Sequence, residues 1–325
     1  MKSIHRRRWG QALLAAAFGL SAFAAQAQDA APAKILVGFP AGGSFDAIAR
    51  LIADKAKDEL GRPVVVDNKV GAGGRIAIDA LKASPADGSV VMLGPDALTA
   101  LYPFTFKKPG YDSKKDIVPV VTVAEFAFGF AVGTNPAAKT LPEWIDWARK
   151  NPKDANYGIP ALGGPHHFFG IGMGNAIGVP LQNIPYQGSA PINLALMSGQ
   201  VASSIDVVSS QVELHKSGKI RLLAVSTEQR IPQAPEVPTF TELGMPSISG
   251  AGFNALYAPA GTPAAVVERW NRAVAKIVAM PDVREKLIAM GYVPVGKTTQ
   301  ELIDRQNAAI RKWEPLIKAS GFTAD

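Results

Sequence analysis

From residue 28 onward, short β-branched runs alternate with amphipathic segments, and this alternation limits the possible folds more than any other feature. An apolar strand at Lys34–Phe39 leads into a helical pattern between Ser44 and Gly61, and a second strand follows at Val64–Asp67. Ser44 is the predicted N-cap of that helix, since hydroxyl residues favour this position. Repeated strand–helix units of this kind predict α/β architecture with mainly parallel sheets.

A second series of strands and helices follows the apolar segment Val118–Val132, so two lobes fit better than one. We predict a two-lobed α/β fold in which each lobe is a mixed, mainly parallel sheet flanked by helices. The Pro-rich stretch Ile231–Pro246 is expected to cross the surface as an extended connector, before a strand at Phe253–Ala258. Thr298-x-x-Glu301 opens the last helix, which Pro315 should kink or end early. The predicted divisions are a leader at 1–27, the first part of lobe 1 at 28–130, lobe 2 at 131–235 and a return segment of lobe 1 at 236–325.

The leader has the three parts of a secretory signal peptide. A basic stretch through Arg8 precedes the apolar run Ala12–Ala25, and Ala25-Gln26-Ala27 is a small-x-small cleavage motif. The cleavage point carries no cysteine, so no lipid anchor is expected there. We predict cleavage near Ala27 and a periplasmic, soluble, monomeric product. The general and twin-arginine export routes both remain open.

Composition excludes several classes of function. The chain contains no cysteine, which rules out disulfides, thiolate metal sites and cysteine nucleophiles. Four of its 34 basic residues lie in the leader, and the remaining 30 face 27 acidic residues. A balance this weak does not predict a nucleic-acid surface.

Two glycine-rich turns are candidates for ligand contact. Phe39–Asp46 joins a strand to a helix, and its glycines would expose backbone N–H groups at a helix N-terminus, where anions bind. It lacks both a Walker lysine and the G-x-G-x-x-G spacing, so a carboxylate is favoured over a nucleotide. Pro160–His166 is a second such turn in the other predicted lobe, and the two turns could form a clamp. The alternative is that they are tight turns that bind nothing.

Other polar residues have more than one interpretation. Adjacent His166 and His167 lack a third ligand at zinc spacing, so a capping or core role is favoured over a metal site. Arg75 follows a third glycine turn, where a local pair is favoured over an anion contact. Asp206 could orient loop amides, meet a ligand amine or cap the next segment, and His215 is expected at the surface. The sequence contains neither G-x-S-x-G nor H-E-x-x-H, and we expect no catalysis, metal or cofactor.

An ordered set of motifs resembles one known family. The set comprises Phe39-Pro40-Ala41-Gly42-Gly43-Ser44-Phe45-Asp46, Val65-Val66-Asp67-Asn68, Gly71-Ala72-Gly73-Gly74, Ala86-Asp87-Gly88, Tyr111-Asp112, Asn156-Tyr157-Gly158, Pro185-Tyr186-Gln187-Gly188, Ser198-Gly199-Gln200-Val201, Gly218-Lys219-Ile220-Arg221, Pro238-Thr239 and Ala258-Pro259-Ala260-Gly261-Thr262-Pro263. From about Lys34 to Phe322 the chain resembles the Bug-type substrate-binding proteins of tripartite tricarboxylate transporters.

The resemblance implies a periplasmic receptor with the type II, Venus-flytrap fold, without catalysis. Two lobes would close on a small carboxylate and deliver it to integral membrane transporter subunits. The implied contacts are Ala41, Gly42, Gly43, Ser44 and Asp46 in lobe 1 and Gly163 and Gly164 in lobe 2, with Tyr186, Gly188, Asp206 and Phe253 nearby.

The chain departs from the family pattern at two places in this presumed pocket. The hydroxyl residues usual after Tyr157-Gly158 are replaced by Ile159–Pro165, which includes Leu162, and Phe45 stands where a small or hydroxylated residue is common. We include Phe45 and Leu162 in the candidate site and expect a monocarboxylate with an apolar or aromatic body. A receptor that signals to a membrane sensor and an exported α/β enzyme are the rival hypotheses.

Overall fold

The computed structural model describes residues 31–133, 136–160, 162–186 and 188–324, and the predicted leader lies outside these ranges. The strands are β1 (Ala33–Val37), β2 (Val64–Asn68), β3 (Val90–Pro95), β4 (Ile117–Phe126), β5 (Phe128–Val132), β6 (Asn156–Ile159), β7 (Gln182–Pro185), β8 (Ser203–Val207), β9 (Arg221–Val225), β10 (Gly252–Pro259) and β11 (Tyr292–Pro294). The helices are α1 (Ser44–Leu60), α2 (Arg75–Lys82), α3 (Ala97–Ala100), α4 (Tyr102–Thr105), α5 (Leu141–Lys150), α6 (Pro165–Ile177), α7 (Ser189–Met197), α8 (Val212–Lys216), α9 (Ala264–Ala279), α10 (Pro281–Ala289) and α11 (Thr299–Ser320).

The strands form two sheets, and we call the parts of the chain built on them lobe 1 and lobe 2. Lobe 1 has six strands in the order β11-β4-β10-β3-β1-β2, and lobe 2 has five in the order β7-β6-β8-β5-β9. β1 pairs in parallel with β2 and β3, and β6 pairs in parallel with β7 and β8. β4 pairs antiparallel with β10 and β11, and β5 pairs antiparallel with β8 and β9. Both sheets are therefore mixed.

The crossing between the lobes lies within the apolar segment predicted at Val118–Val132. β4 belongs to the sheet of lobe 1 and β5 to that of lobe 2, and Ala127 alone separates them. The crossing therefore lies slightly before the predicted boundary at residue 130. The chain returns to lobe 1 between the end of β9 and the start of β10. Since β4 leads directly into β5, the ends of the two sheets face each other at Ala127.

Helix α1 explains how the first glycine turn is positioned. Ile48, Ile52 and Leu60 lie on its buried face, and Gly61 ends it in the left-handed conformation, as predicted. The prediction of Ser44 as N-cap is wrong. Gly43 is the N-cap, with extended φ and ψ of −78° and 172°, and Ser44 is the first helical residue. Gly43 supplies no capping side chain, and the buried Asp46 carboxylate in the first turn accepts the N–H of Gly42, which precedes the N-cap.

The Pro-rich stretch Ile231–Pro246 does not run extended across the surface. Ile231, Ala234 and Val237 are buried in the same apolar cluster as β5 and β9 side chains of lobe 2. Their backbone forms successive turns, with Ala234 N–H bonded to Ile231 O and Val237 N–H to Ala234 O. Burial of the apolar residues between the prolines stabilises this folded path, so the prediction of an extended connector is wrong.

Helix α11 packs against both lobes. Thr298 and Glu301 form the predicted capping box. Leu302 is buried among lobe 1 side chains, whereas Trp313 contacts Phe169 of lobe 2 with ring centroids 5.0 Å apart. The helix continues through Pro315 to Ser320, so of the two expected effects of Pro315, a kink or an early end, the early end is wrong. Packing of this face outweighs the one backbone hydrogen bond that a proline removes.

Candidate functional site

The predicted loops lie at the facing edges of the two sheets. In lobe 1 the carboxyl ends of β1, β2 and β3 share an edge with the start of β10 and β11. In lobe 2 the carboxyl ends of β6, β7 and β8 share an edge with the start of β5. Open α/β sheets bind ligands at this edge. The fold therefore brings the loops after β1 and β6 to the region between the lobes.

The first glycine loop, Ala41–Ser44, is exposed along its whole length. Its conformation depends on Asp46, which lies in the first turn of α1 and is buried. Asp46 accepts the Gly42 N–H at 2.9 Å, the Arg50 Nε at 2.9 Å and the Asn68 amide at 3.1 Å. The buried Asp46 carboxylate therefore stabilises the conformation of the loop.

These bonds also fix the charge of Asp46. The Arg50 side chain is the largest cause that lowers the Asp46 pKa, to about 2, and the Gly42 amide and Asn68 lower it further. The carboxylate is therefore ionised at neutral pH. One loop amide is already occupied by this internal anion, and Gly43 N–H approaches Pro40 O at 3.3 Å. The N–H groups of the first helical turn, which begins at Ser44, have no acceptor within the helix.

Two aromatic rings stand beside the first loop. Phe39 and Phe45 are stacked, with centroids 4.3 Å apart and an interplanar angle of 17°. Both are half-buried, so part of each ring remains accessible. Phe45 follows Ser44 in the first turn of α1, and the pair therefore forms an apolar wall next to the exposed amides.

Tyr292 joins this region although it belongs to no glycine-rich motif. Burial raises its pKa, against contacts of its hydroxyl with Ser44 and Asn254 that lower the pKa. Asn254 is fully buried in β10. A polar residue inside an otherwise apolar strand was the only sequence signal for this cluster. Tyr292 reaches it because β11 pairs with β4, a contact that no local pattern indicates.

Phe253 lies next to Asn254 and points to the other face of the sheet. It is buried in the apolar cluster that contains Met92 and Leu302. Its carbonyl oxygen accepts the Asp96 N–H at 2.9 Å. Since side chains alternate along a strand, Asn254 is the residue of this pair that faces Ser44.

The second glycine loop, Leu162–Gly164, lies at the edge of lobe 2. Leu162 is 48% exposed, whereas Gly163 is buried with a φ of 74°, a conformation that favours glycine. Gly163 N–H donates to Nδ1 of His167 at 3.4 Å, and His167 Nε2 lies 3.2 Å from the Asn183 amide. The core interpretation of His167 is thus confirmed. Gly164 is the extended N-cap of α6.

The turn after β7 is tied to the second loop. Tyr186 N–H donates to Ile159 O at 2.8 Å, and Gly188 N–H approaches Pro160 O at 3.4 Å. Gly188 has a φ of 96° and precedes α7. The structure therefore bonds Tyr186 and Gly188 to Ile159 and Pro160, which lead into the second loop, at the carboxyl ends of neighbouring strands.

Asp206 is buried at the end of β8 and bonds to its own loop. Its Oδ1 accepts Val207 N–H at 2.7 Å, and its Oδ2 accepts the Ser210 hydroxyl at 3.1 Å. This geometry corresponds to the first interpretation, an acid that orients loop amides. His166 Nε2 lies 3.7 Å from Asp206 Oδ1, beyond direct hydrogen bonding, and burial lowers the His166 pKa.

A row of rings connects the two loops across the crossing. Tyr292 contacts Phe126 with centroids 6.0 Å apart, Phe126 contacts Phe128 at 5.3 Å, and Phe128 contacts His166 at 5.0 Å. Phe126 and Phe128 flank Ala127, where the chain changes lobe. The row runs from the side chains near the first loop to the helix that follows the second loop.

Arg75 and His215 are not members of these two loops. Arg75 has local partners of a different kind from the expected ion pair: its Nε donates to Ala72 O at 3.1 Å, and its guanidinium lies 3.9 Å from the Phe106 ring centroid. The surface prediction for His215 is wrong, because its side chain is only 14% exposed. Its two nitrogens contact the Leu222 N–H and the Glu236 carboxylate.

Among the described residues, no cluster of three or more histidine or acidic side chains is arranged to hold a metal ion. Within the same ranges, no helix combines the length and apolar character needed to cross a bilayer. Two α/β lobes joined by crossing strands, with glycine loops at facing edges, define a two-lobed binding protein.

Comparison with known proteins identifies the family. The model of the tripartite tricarboxylate transporter family receptor matches residues 48–322. BugT of Bordetella pertussis (strain Tohama I) is 32% identical over 295 residues, which cover 90% of this chain and 90% of BugT. The chain belongs to the tripartite tricarboxylate transporter receptor family, and its predicted Bug-type character is confirmed.

Two solved structures are similar over nearly the whole fold. Rpa4515 of R. palustris with adipate is 32% identical, with a TM-score of 0.79 over 90% of this chain and 98% of that one. MatC of Rhodopseudomonas palustris with bound malate is 26% identical, with a TM-score of 0.74 over 88% of this chain and 98% of that one. These similarities and the two sheets confirm the predicted two-lobed fold.

Proposed function

We propose that this receptor binds a small carboxylate between its two lobes and delivers it to the membrane subunits of a tripartite transporter. The observation that carries the proposal is the exposed loop Ala41–Ser44 at the start of α1. A helix N-terminus favours an anion through its free N–H groups and its dipole. The adipate and malate bound by the two relatives support a carboxylate as that anion.

The backbone N–H groups of the first loop and of the first turn of α1 are not equally available to a ligand. The Gly42 N–H bonds Asp46, whereas the first-turn amides from Ser44 onward are free of helical acceptors. We therefore assign the ligand carboxylate to the first-turn amides of Ser44 and Phe45. The Ser44 hydroxyl and Tyr292 adjoin this position. Gly163, Gly164, Tyr186 and Gly188 line the opposite edge in the closed form.

The ligand body is apolar or aromatic under this proposal. The stacked Phe39 and Phe45 rings stand beside the anion loop, and Leu162 is exposed on the opposite loop. A second carboxylate against these surfaces would lose hydration without a compensating partner. The chain therefore prefers a monocarboxylate, in contrast to the dicarboxylates adipate and malate.

Titration calorimetry with a panel of carboxylates tests the proposal. Benzoate, phenylacetate and hexanoate represent monocarboxylates, and adipate, malate and citrate represent multiply charged ones. We expect at least one monocarboxylate to bind about tenfold or more tightly than every polycarboxylate. Preferred binding of a polycarboxylate would refute the ligand class, and recovery of a chemically altered compound would support the enzyme hypothesis instead.

The export and assembly predictions belong to the same proposal. Periplasmic relatives such as BugD support export, and we propose that cleavage near Ala27 releases a monomer into the periplasm. Intact-mass measurement of protein from a periplasmic extract would give a chain starting near Gln28. A full-length chain recovered in the membrane fraction would contradict this.

A further inference from the structure

The end of the chain contacts both lobes beside the second glycine loop. Helix α11 ends at Gly321, which adopts the left-handed conformation, and Phe322 N–H donates to the Ser320 hydroxyl at 3.2 Å. The segment Phe322–Ala324, which we call the tail, therefore leaves the helix in a fixed direction. Phe322 contacts lobe 2, and Ala324 contacts lobe 1.

On the lobe 2 side, the tail packs against Gly163. The Phe322 ring stands edge-on to His167, with centroids 4.7 Å apart and an interplanar angle of 83°, and lies 6.0 Å from Phe168. A Cβ atom added to Gly163 would lie 2.9 Å from Cε1 of Phe322. The N–H of Gly163 bonds the same His167 ring. Gly163 is thus confined between His167 and Phe322.

On the lobe 1 side, the tail is bonded to the end of α4. Ala324 N–H donates to Thr105 O at 2.8 Å, and Thr105 is fully buried. The same three-residue segment therefore contacts the loop after β6 and α4, the second helix after β3. These elements lie at the facing edges of the two sheets.

We propose that Phe322 is a positioning residue for ligand binding, which holds the Gly163 loop in its binding conformation, and that the tail couples this loop to lobe 1. The inference rests on the proposed function, because Gly163 belongs to the candidate ligand site. Phe322 acts through Gly163, because a glycine has no Cβ and can leave its left-handed φ for other conformations once the ring is removed. Apparent affinity falls in proportion to the population of the competent loop.

The experiment compares Phe322→Ala with Phe322→Leu, which keeps most of the apolar volume against His167. Leu194→Ala is the matched control, since it removes a 64% exposed apolar side chain from the same lobe. We expect Phe322→Ala to weaken binding of the best carboxylate in the panel about tenfold, with Phe322→Leu and Leu194→Ala within about twofold of the wild type. Thermal unfolding of each variant confirms that binding is measured on folded protein.

Hydrogen exchange of the 160–166 peptide in unliganded protein gives a second readout. Phe322→Ala should raise its exchange rate about tenfold, with exchange across α5 unchanged. Unchanged exchange, or unchanged affinity in folded Phe322→Ala, would overturn the inference. If the wild type binds no carboxylate, the proposed function fails, and the exchange measurement still decides whether Phe322 positions the loop.

Discussion

Asp46 Oδ2 accepts the Gly42 N–H at 2.9 Å, so the loop proposed to bind an external carboxylate is held by a carboxylate of its own. Asp46 also bonds Arg50 and Asn68, which anchors the loop to α1 and to the end of β2. This internal anion leaves the first-turn amides of Ser44 and Phe45 for the ligand. The loop is consequently prearranged before the ligand arrives, which reduces the entropy lost on binding.

Replacement of Asp46 by alanine should destabilise the protein. The variant loses three acceptor contacts of a buried carboxylate, and we expect a loss of about 2 kcal/mol, as for charge-assisted hydrogen bonds. Urea denaturation measures the change. The control Asp146→Ala removes a 70% exposed carboxylate 3.9 Å from Arg149 and should cost less than about 0.5 kcal/mol. Equal losses in both variants would contradict the bracing role.

The same carboxylate predicts a pH dependence. Its folded-state pKa is about 2, below the ordinary value of 3.8, so ionised Asp46 favours the folded state. The stabilisation is complete above pH 3.8 and is lost as the pH falls toward 2. Asp46→Asn cannot titrate at this position. The difference in melting temperature between wild type and Asp46→Asn should therefore be constant above about pH 5 and shrink as pH falls toward 2, and a constant difference throughout would disprove the assignment.

Phe45 should control the preference for aromatic monocarboxylates. Phe45→Ala removes one ring of the stacked pair, and the loss of an aromatic contact corresponds to roughly a two- to tenfold weaker affinity for benzoate. Affinity for malate should change by less than about twofold, since malate has no ring to contact. Calorimetry with both compounds measures the ratio. An equal loss for both would assign Phe45 to loop stability instead of ligand choice.

Local patterns predicted most elements, because strand runs, helical faces and caps are encoded over a few residues. Gly61 and the Thr298–Glu301 capping box ended and began helices as expected. The apolar run Val118–Val132 contains two strands, but the sequence does not show where one ends and the next begins. The strands are covered on both faces, so the run is continuously apolar, and no turn residue marks Ala127. The split depends on which sheet each half joins, and that is a tertiary property.

The candidate site was predictable only in part. The glycine loops could be recognised by their glycine-rich sequence. The cluster of Ser44, Asn254 and Tyr292 could not, because it depends on pairing between segments far apart in sequence. The role of Phe322 could likewise not be predicted from the sequence, because its contact with Gly163 forms only when α11 packs against both lobes. The inward direction of Asp46 also follows from the turn geometry and not from its spacing in the motif.

The central claim is that a first-turn amide of α1 holds the ligand carboxylate. Ser44→Pro removes one of these N–H groups with little cost to the helix, since proline suits the first helical position and Gly43 before it is extended, with ψ of 172°. Ser44→Ala is the matched control, because it removes the hydroxyl and keeps the N–H. Both variants are titrated by calorimetry with the tightest carboxylate of the panel, after thermal unfolding shows that they fold. Loss of one charge-assisted hydrogen bond predicts an affinity about ten- to a hundredfold lower for Ser44→Pro than for Ser44→Ala, and equal affinities would contradict the account.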